Sequence, residues 1–298
     1  MNPVTLKQLR YFDAVVKHLH FGRAAESCCV TQPALSMQIQ ELESALNTML
    51  IERARSGLKL TVAGEEVAQR AARVLADVDD LVSRCVHGQA LMTGSLRLGV
   101  IPSVAPYVLP ALLEQLKLHY PALQLHVRET QTKPLLDELA EGKLDVLLLA
   151  VPVTGADCAT LALFDDPFLL AVPAGYPLPA QVRATREMVI GERLLLLEEG
   201  HCLRDQALAY CDFRQVNAVD TFGVSTLATV AGMVAAGHGI TLLPSICLDA
   251  EATGRGLRVM RFVEPEPFRT IGLAWRMTSP RVADFRELGR LLMMGRAG

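Results

Sequence analysis

The chain has 298 residues, 51% of them hydrophobic, and a formal net charge of -3, a length that suits two or three domains. No apolar run approaches the roughly 18 to 20 residues that span a bilayer, and MNPVTLKQLRYF lacks the basic, apolar and small-residue zones of a secretion signal, so a soluble cytoplasmic protein without a membrane partner is expected. The slight acidic excess gives no global nucleic-acid signature, and the seven cysteines include no short-spaced His/Cys set, which argues against zinc or any other metal and, in a reducing compartment, against a structural disulfide framework.

In chain order, Leu6, Leu9, Phe12 and Val16 recur at helical spacing, and FGRAAESC forms a second short helix with Ala24, Ala25 and Cys28 on one side. In TQPALSMQIQELESAL, Pro33 suits a first helical turn, and Leu35, Ile39, Leu42 and Leu46 make an apolar stripe. The opposite flank carries Pro33, Ser36, Met37 and Gln40, with no carboxylate between Glu26 and Glu41. Ser and Gln can donate to and accept from base edges, whereas a carboxylate there would repel phosphates. ERARSGLKLT then reads as a two-stranded wing with Ser56 and Gly57 at its tip, offering Arg53, Arg55 and Lys59 to flanking phosphates. The pattern fits a helix-turn-helix, or else an ordinary helical hairpin with a solvated face.

From Thr61 onward, Val67, Ala71, Val74, Val78, Leu81 and Cys85 repeat in alternating steps of four and three. Such a heptad seam wants a partner helix, either in a second copy of the chain or in the chain's own body. A homodimer suits a helix-turn-helix protein, whose paired recognition helices match two half-sites.

The order LKQLRYFDAVV, GRAAESCCVTQPALSMQIQELE, ERARSGLKLTVAG and a long helix resembles the DNA-binding end of LysR-type transcriptional regulators. That resemblance implies contacts to double-stranded promoter DNA from Thr31, Gln32, Pro33, Ser36 and Gln40, with Arg53 at phosphates or the minor groove, and implies RNA polymerase as a partner and a tetramer built from dimers. Cys28, Cys29 and Met37 depart from the family pattern.

MTGSLRLGVIPSV opens a second composition, in which short strands (SLRLGVI, LQLHVRE, LDVLLLAV) alternate with helices, as in α/β units with a parallel sheet. Met92, Thr93, Gly94 and Ser95 suggest a hinge before it. Ligands in such sheets meet loops at the carboxyl ends of strands, which selects Ser103 and Thr132, although lone hydroxyls before helices also serve as caps. The expected organisation is an all-α winged helix-turn-helix over 1-60, a linker and dimerisation helix over 61-91, and an α/β periplasmic-binding-protein-like regulatory domain over 92-298. Its two subdomains are expected at about 92-170 with 270-298 and at about 171-269, with crossovers near Ala171 to Pro173 and Phe268 to Ile271.

GHCLRDQALAYC raises a sharper question, because it holds two thiols nine positions apart. A thiolate is favoured at a helix amino end and beside cations, and Cys202 is expected in a first helical turn between His201 and Arg204. If the segment is helical, the two Cα atoms lie roughly 13 Å apart, beyond the limit of about 7 Å for a disulfide. A bridge to Cys211 therefore requires the helix to unwind, through a sulfenic acid on Cys202; two packing thiols are the alternative. The segment is similar to that of peroxide-sensing LysR-type regulators, as are GVIPSVAPYVLP, QTKPLLDELAEGKLDVLLLA and MVAAGHGITLLP. The resemblance implies that Cys202 is peroxidatic and Cys211 resolving, that Ser103 and Thr132 orient hydrogen peroxide, and that His201, Arg204 and Asp205 shape the thiol's electrostatics. Cys28, Cys85, Cys158 and Cys247 read as packing thiols.

Two function classes remain in play. One is a peroxide-switched activator of antioxidant genes that needs no cofactor; the other is a LysR-type regulator answering a small organic ligand between the subdomains. A thiol peroxidase, and an enzyme generally, gains nothing from a DNA reader.

Overall fold

The computed structural model describes residues 4–54, 57–86, 91–153, 157–177, 182–211, 219–220 and 223–295. It resolves into two units, one built mainly from the first 88 residues and one from most of the remainder.

In the first unit, α1 (Leu6–His18) starts at Thr5, whose side chain accepts from the Gln8 N–H while the Gln8 side chain accepts from the Thr5 N–H, a reciprocal cap that fixes the helix start. Helix α2 (Phe21–Ser27) is capped by His20, whose Nδ1 accepts from the N–H groups of Gly22 and Arg23. Helix α3 (Gln32–Leu46) follows Thr31, has Pro33 in its first turn and ends at Asn47 in the left-handed region. Phe12, Val15, Ala24, Ala25, Leu35, Ile39, Leu42 and Leu50 make the core. Leu6 and Leu46, expected on the buried stripes, are exposed, because each lies at the outermost turn of its helix, beyond the reach of the other two.

Strands β1 (Ile51–Ala54) and β2 (Gly57–Leu60) form an antiparallel ribbon with Arg53 opposite Leu58, so the winged unit is not all-α. Arg55 and Ser56, expected at the tip, lie outside the described residues. The Glu43 carboxylate accepts the N–H groups of Leu50 and Ile51 at 2.8 and 3.2 Å, tying the ribbon to α3. Helix α4 (Val62–Val86) runs for 25 residues, roughly 37 Å. The heptad seam divides along it. Val67 packs on the unit's own core and Ala71 is buried, whereas Val74 and Leu81 are exposed. Helix α1 packs against α4, and its Arg10 reaches Asp79 of α4 at 4.0 Å.

In the second unit, β3 (Gly94–Val100), β4 (Leu123–Glu129) and β5 (Val146–Val151) pair in parallel, joined by crossover helices α5 (Ala105–His119) and α6 (Thr132–Ala140). The sheet is mixed, not parallel throughout. The long β6 (Cys158–Pro173), β9 (Thr241–Pro244), β10 (Leu257–Arg261) and β11 (Phe268–Arg276) complete it with antiparallel pairings in the order β10-β6-β11-β5-β3-β4, with β9 against β6. Strand β6 changes partners between Pro167, which faces β11, and Phe168, which faces β9. That is a few residues ahead of the expected crossover at Ala171 to Pro173, since the apolar run that suggested a new strand continues an old one.

Two apolar cores result. The first gathers β3, β5, β11, α5 and α11 (Val282–Met294) around Leu98, Leu147, Leu273 and Phe285. The second gathers the far half of β6, α7 (Arg186–Ile190), β7 (Leu194–Leu195), α8 (Cys202–Cys211), α9 (Leu227–Ala235) and α10 (Leu248–Glu251), and β7 pairs in parallel with β8 (Val219–Asp220). Met92 is fully buried in the first core and its N–H donates to Asp284, so the residues expected to be a hinge are built into this unit.

Candidate functional site

The register of the parallel strands sets two loops side by side. Val100 at the end of β3 pairs with Glu129 at the end of β4, so the loop carrying Ser103 and the turn carrying Gln131 and Thr132 leave the same edge of the sheet. Ser103 is buried and Thr132 half-buried, with its hydroxyl oxygen inaccessible and without a hydrogen-bond partner.

Ser103 is held by a residue that sequence reasoning missed. Arg269 on β11 donates from Nη1 to Ser103 Oγ at 2.7 Å and from Nη2 to the Ser103 carbonyl at 3.1 Å. Its Nε donates to Asp166 Oδ2 at 2.9 Å. Both charged side chains are fully buried, and the two residues are cross-strand partners in the β6–β11 ladder. The other Asp166 oxygen accepts from Ser245 Oγ and the Ile246 N–H. A guanidinium can only donate, so Ser103 Oγ spends a lone pair on Arg269 and keeps its O–H free for an acceptor. The available signal was an Arg and an Asp inside strongly apolar strands, since charges are almost never fully buried unless paired.

Cys202 opens α8 as expected, unbridged and half-buried. Although α8 belongs to the second core through Leu203 and Ala207, Cys202 packs against the first core, as does Ile246. The thiol therefore stands where the two cores meet. One turn along, Gln206 has its amide oxygen buried without a partner, another residue the sequence reading passed over, although i and i+4 share a helix face. Among the described side chains of α8, only Leu203 and Ala207 are buried, over a small void also lined by Leu197, Leu227 and Val230.

The flanking groups behave less uniformly than their sequence suggests. His201 is buried, with Nε2 3.7 Å from a Glu198 oxygen. Burial outweighs the attraction of Glu198 and pushes its pKa below the ordinary value, so the imidazole is neutral at pH 7 and one of the two expected cations is lost. Arg204 turns its guanidinium to the Leu197 carbonyl, and Asp205 is exposed. Cys211 is the last residue of α8. An intact helix between the two cysteines separates their Cα atoms by roughly 13 Å.

Cys247 is fully buried, its thiol donating to the Pro244 carbonyl, and burial pushes its pKa up to about 12. Burial also raises Cys158.

In the first unit, Thr31, Gln32, Pro33 and Gln40 are exposed and Ser36 half-exposed along α3, with Met37 exposed among them. Arg53 is on β1 and Lys59 is exposed on β2; the Arg53 side chain lies outside the description.

Residues 6–65 match the bacterial regulatory helix-turn-helix protein, lysR family, and residues 89–293 match the LysR substrate binding domain. A protein of Streptomyces viridosporus named "Probable hydrogen peroxide-inducible genes activator" is 45% identical over 97% of this chain and 93% of its own. A full-length OxyR variant from Pseudomonas aeruginosa is similar in structure, with a TM-score of 0.80 and 35% identity over 98% of each chain. A peroxide-bound OxyR mutant from Corynebacterium glutamicum gives a TM-score of 0.67 and 33% identity over 100% of this chain and 96% of its own.

Proposed function

The chain belongs to the LysR family of bacterial helix-turn-helix regulators, and from that premise we propose that it is a hydrogen-peroxide-sensing transcriptional regulator switched by a Cys202–Cys211 disulfide. The observation that carries the reading is the position of Cys202, in the first turn of α8 and packed where two cores meet, in a chain whose relatives are named for peroxide response.

The chemistry follows from the groups present. The Cys202 thiolate attacks one peroxide oxygen; a sulfur–oxygen bond forms, the O–O bond breaks, and sulfur gives up two electrons. The departing oxygen leaves as hydroxide and gains a proton, giving water and Cys202 sulfenic acid. Ser103, with its lone pair taken by Arg269, donates toward the departing oxygen, while Thr132 Oγ1 and Gln206 Oε1, buried without a hydrogen-bond partner, accept peroxide hydrogens. The neutral His201 walls the pocket, and Arg204 and Asp205 act from the outer side of α8. The Cys211 thiol then attacks the sulfenic sulfur and releases a second water, so that two thiols and one peroxide give one disulfide and two waters. Because the bridge cannot span an intact α8, this step unwinds the helix and repacks the segment, the element by which oxidation selects between two packings.

At the other end, α3 enters the major groove of promoter DNA with Thr31, Gln32, Pro33, Ser36 and Gln40, and the wing with Arg53 follows the phosphates. The exposed rear of the α4 seam, Val74 and Leu81, pairs with a second copy, and dimers assemble into a tetramer whose rearrangement alters contacts with RNA polymerase at antioxidant genes. An organic-anion effector is the weaker reading, because Arg269, the buried cation nearest the cleft hydroxyl, is already neutralised by Asp166.

Mass spectrometry of thiols blocked before and after near-stoichiometric peroxide tests the switch. Joint loss of Cys202 and Cys211 with a bridged peptide, abolished by Cys202→Ser, is the expected result. Both thiols staying reduced while a control sensor oxidises would overturn it.

A further inference from the structure

The turn before the sensing thiol is held by one side chain from the other half of its unit. Gln131 sits between the end of β4 and the start of α6, and its Nε2 donates to the Glu199 carbonyl at 3.2 Å. The same amide lies against Gly200: a Cβ built there would stand 2.4 Å from Gln131 Oε1 and 2.8 Å from its Cδ. Gly200 also has a φ of +92, a region glycine enters without the steric cost borne by other residues. Glycine is thus required by the backbone, whereas the amide against it is the far end of a flexible side chain that an added Cβ would displace. Glu199 and Gly200 lead directly into His201 and Cys202, and the Arg204 N–H closes the first turn of α8 onto the His201 carbonyl.

We infer that Gln131 is a positioning residue, a latch that holds the Glu199–Gly200 turn, and with it Cys202, in the place it occupies in the reduced form. The inference rests on the peroxide-switch reading above. In this fold Cys202 is packed against the first core while the rest of α8 belongs to the second. If Cys202 is the end that moves when the two Cα atoms come within about 7 Å, it leaves the first core and the turn that carries it leaves Gln131; if Cys211 moves instead, the turn stays and the midpoint measured below does not shift. In the first case, which the latch requires, its bond is present in the dithiol state and lost in the disulfide state. A hydrogen bond made in only one of two states biases their ratio by about 3- to 10-fold. Gln131 is adjacent to Thr132 but offers no free donor to the peroxide through this Nε2–H, which is committed to Glu199; its effect comes through the turn.

The test uses the full-length protein equilibrated in a series of dithiol/disulfide buffers, with the Cys202–Cys211 bridged fraction counted by mass spectrometry. Gln131→Met keeps the length and removes the donor. It is expected to raise the bridged-to-reduced ratio about 3- to 10-fold at any fixed buffer, which makes the midpoint about 15 to 30 mV more negative. Gln131→Glu, which sets a carboxylate against the Glu199 carbonyl, should shift it at least as far in the same direction and guards against a Met variant that folds poorly. A purely structural role weakens both redox forms alike and leaves the midpoint unmoved; an unmoved midpoint in both variants, or a shift to less negative values, overturns the latch. Failure of the wild-type protein to form the bridge in any buffer would instead overturn the switch reading itself.

Discussion

Asp166→Asn isolates the buried pair that fixes Ser103. The substitution keeps the shape but removes the charge paired with Arg269, both side chains being fully buried, and it leaves an amide where three donors, Arg269 Nε, Ser245 Oγ and the Ile246 N–H, now converge. Breaking one side of a buried ion pair costs about 3 to 5 kcal/mol, because the remaining charge is uncompensated, whereas replacing both partners by apolar groups is often close to neutral. The order of effects is therefore specific: Asp166→Asn should destabilise more than the double replacement Asp166→Leu with Arg269→Met. Trp275 is the chain's single tryptophan and lies buried in the first core of this unit, so its fluorescence in a urea titration reports this unit and not the DNA-binding one. With a urea slope of about 3 kcal/mol per molar, the single variant should lose roughly 1 to 1.7 M in midpoint. A loss below about 0.3 M, or a double variant less stable than the single one, would refute the claim that the pair is a dry, mutually dependent contact. Peroxide reactivity of Cys202 should fall in the double variant despite its stability, since Ser103 Oγ is no longer fixed.

The depressed pKa of buried His201 has a definite sign. Unfolded chains bind its proton below about pH 6.5 while the folded form resists it, so stability falls as pH drops from 6.5 toward the folded pKa, by at most about 1.4 kcal/mol per pH unit; His201→Gln should flatten that part of the stability curve, and an unaltered slope would place the titration elsewhere. Cys247, with its thiol at about 12 and no surface exposure, should resist iodoacetamide at pH 8 in the native protein and react fully in denaturant. Native labelling as fast as that of the exposed Cys29 would contradict its burial.

Local periodicity made the helices legible, and long-range register hid the site. Leu35, Ile39 and Leu42 could be read as a core stripe because a 3.6-residue period needs only neighbours in sequence; Leu46 could not be told from them, since only the end of the packed surface distinguishes it. His20 was invisible as a cap, as Ser, Thr, Asp and Asn are the usual residues there. Ser103 and Thr132 could be singled out because strand ends can be located from composition, and the strand register sets both at one edge of the sheet. Arg269 and Asp166 are 103 positions apart, joined by the pairing of β6 with β11, and nothing local in either segment states that pairing. The mixed sheet was missed for the same reason: the run ending β6 looks identical whether it starts a strand or extends one.

The contrast between that pair and α8 explains where a switch can sit. Asp166 and Arg269 tie β3's loop, β6, β11 and the turn at Ser245–Cys247 into a body that cannot yield cheaply. Helix α8 is held by apolar packing and single hydrogen bonds instead: Leu203 contributes about 1.5 to 3 kcal/mol by burial, Tyr210 sets its ring edge-on to Phe262 for about 0.5 to 1.5 kcal/mol more, Ala207 and Leu208 pack on the same core, and the Arg204–Leu197 and Gln131–Glu199 bonds add about 1 kcal/mol each. Moving a two-state element from 1:99 to 99:1 takes about 5.5 kcal/mol, the same order as those contacts together. A helix held more tightly would keep Cys202 and Cys211 apart after oxidation, and one held more loosely would leave Cys202 unplaced before it. On the peroxide-switch reading proposed above, contacts of that total are what the oxidation of Cys202 has to overcome, whereas the buried Asp166–Arg269 pair holds the sheet beneath.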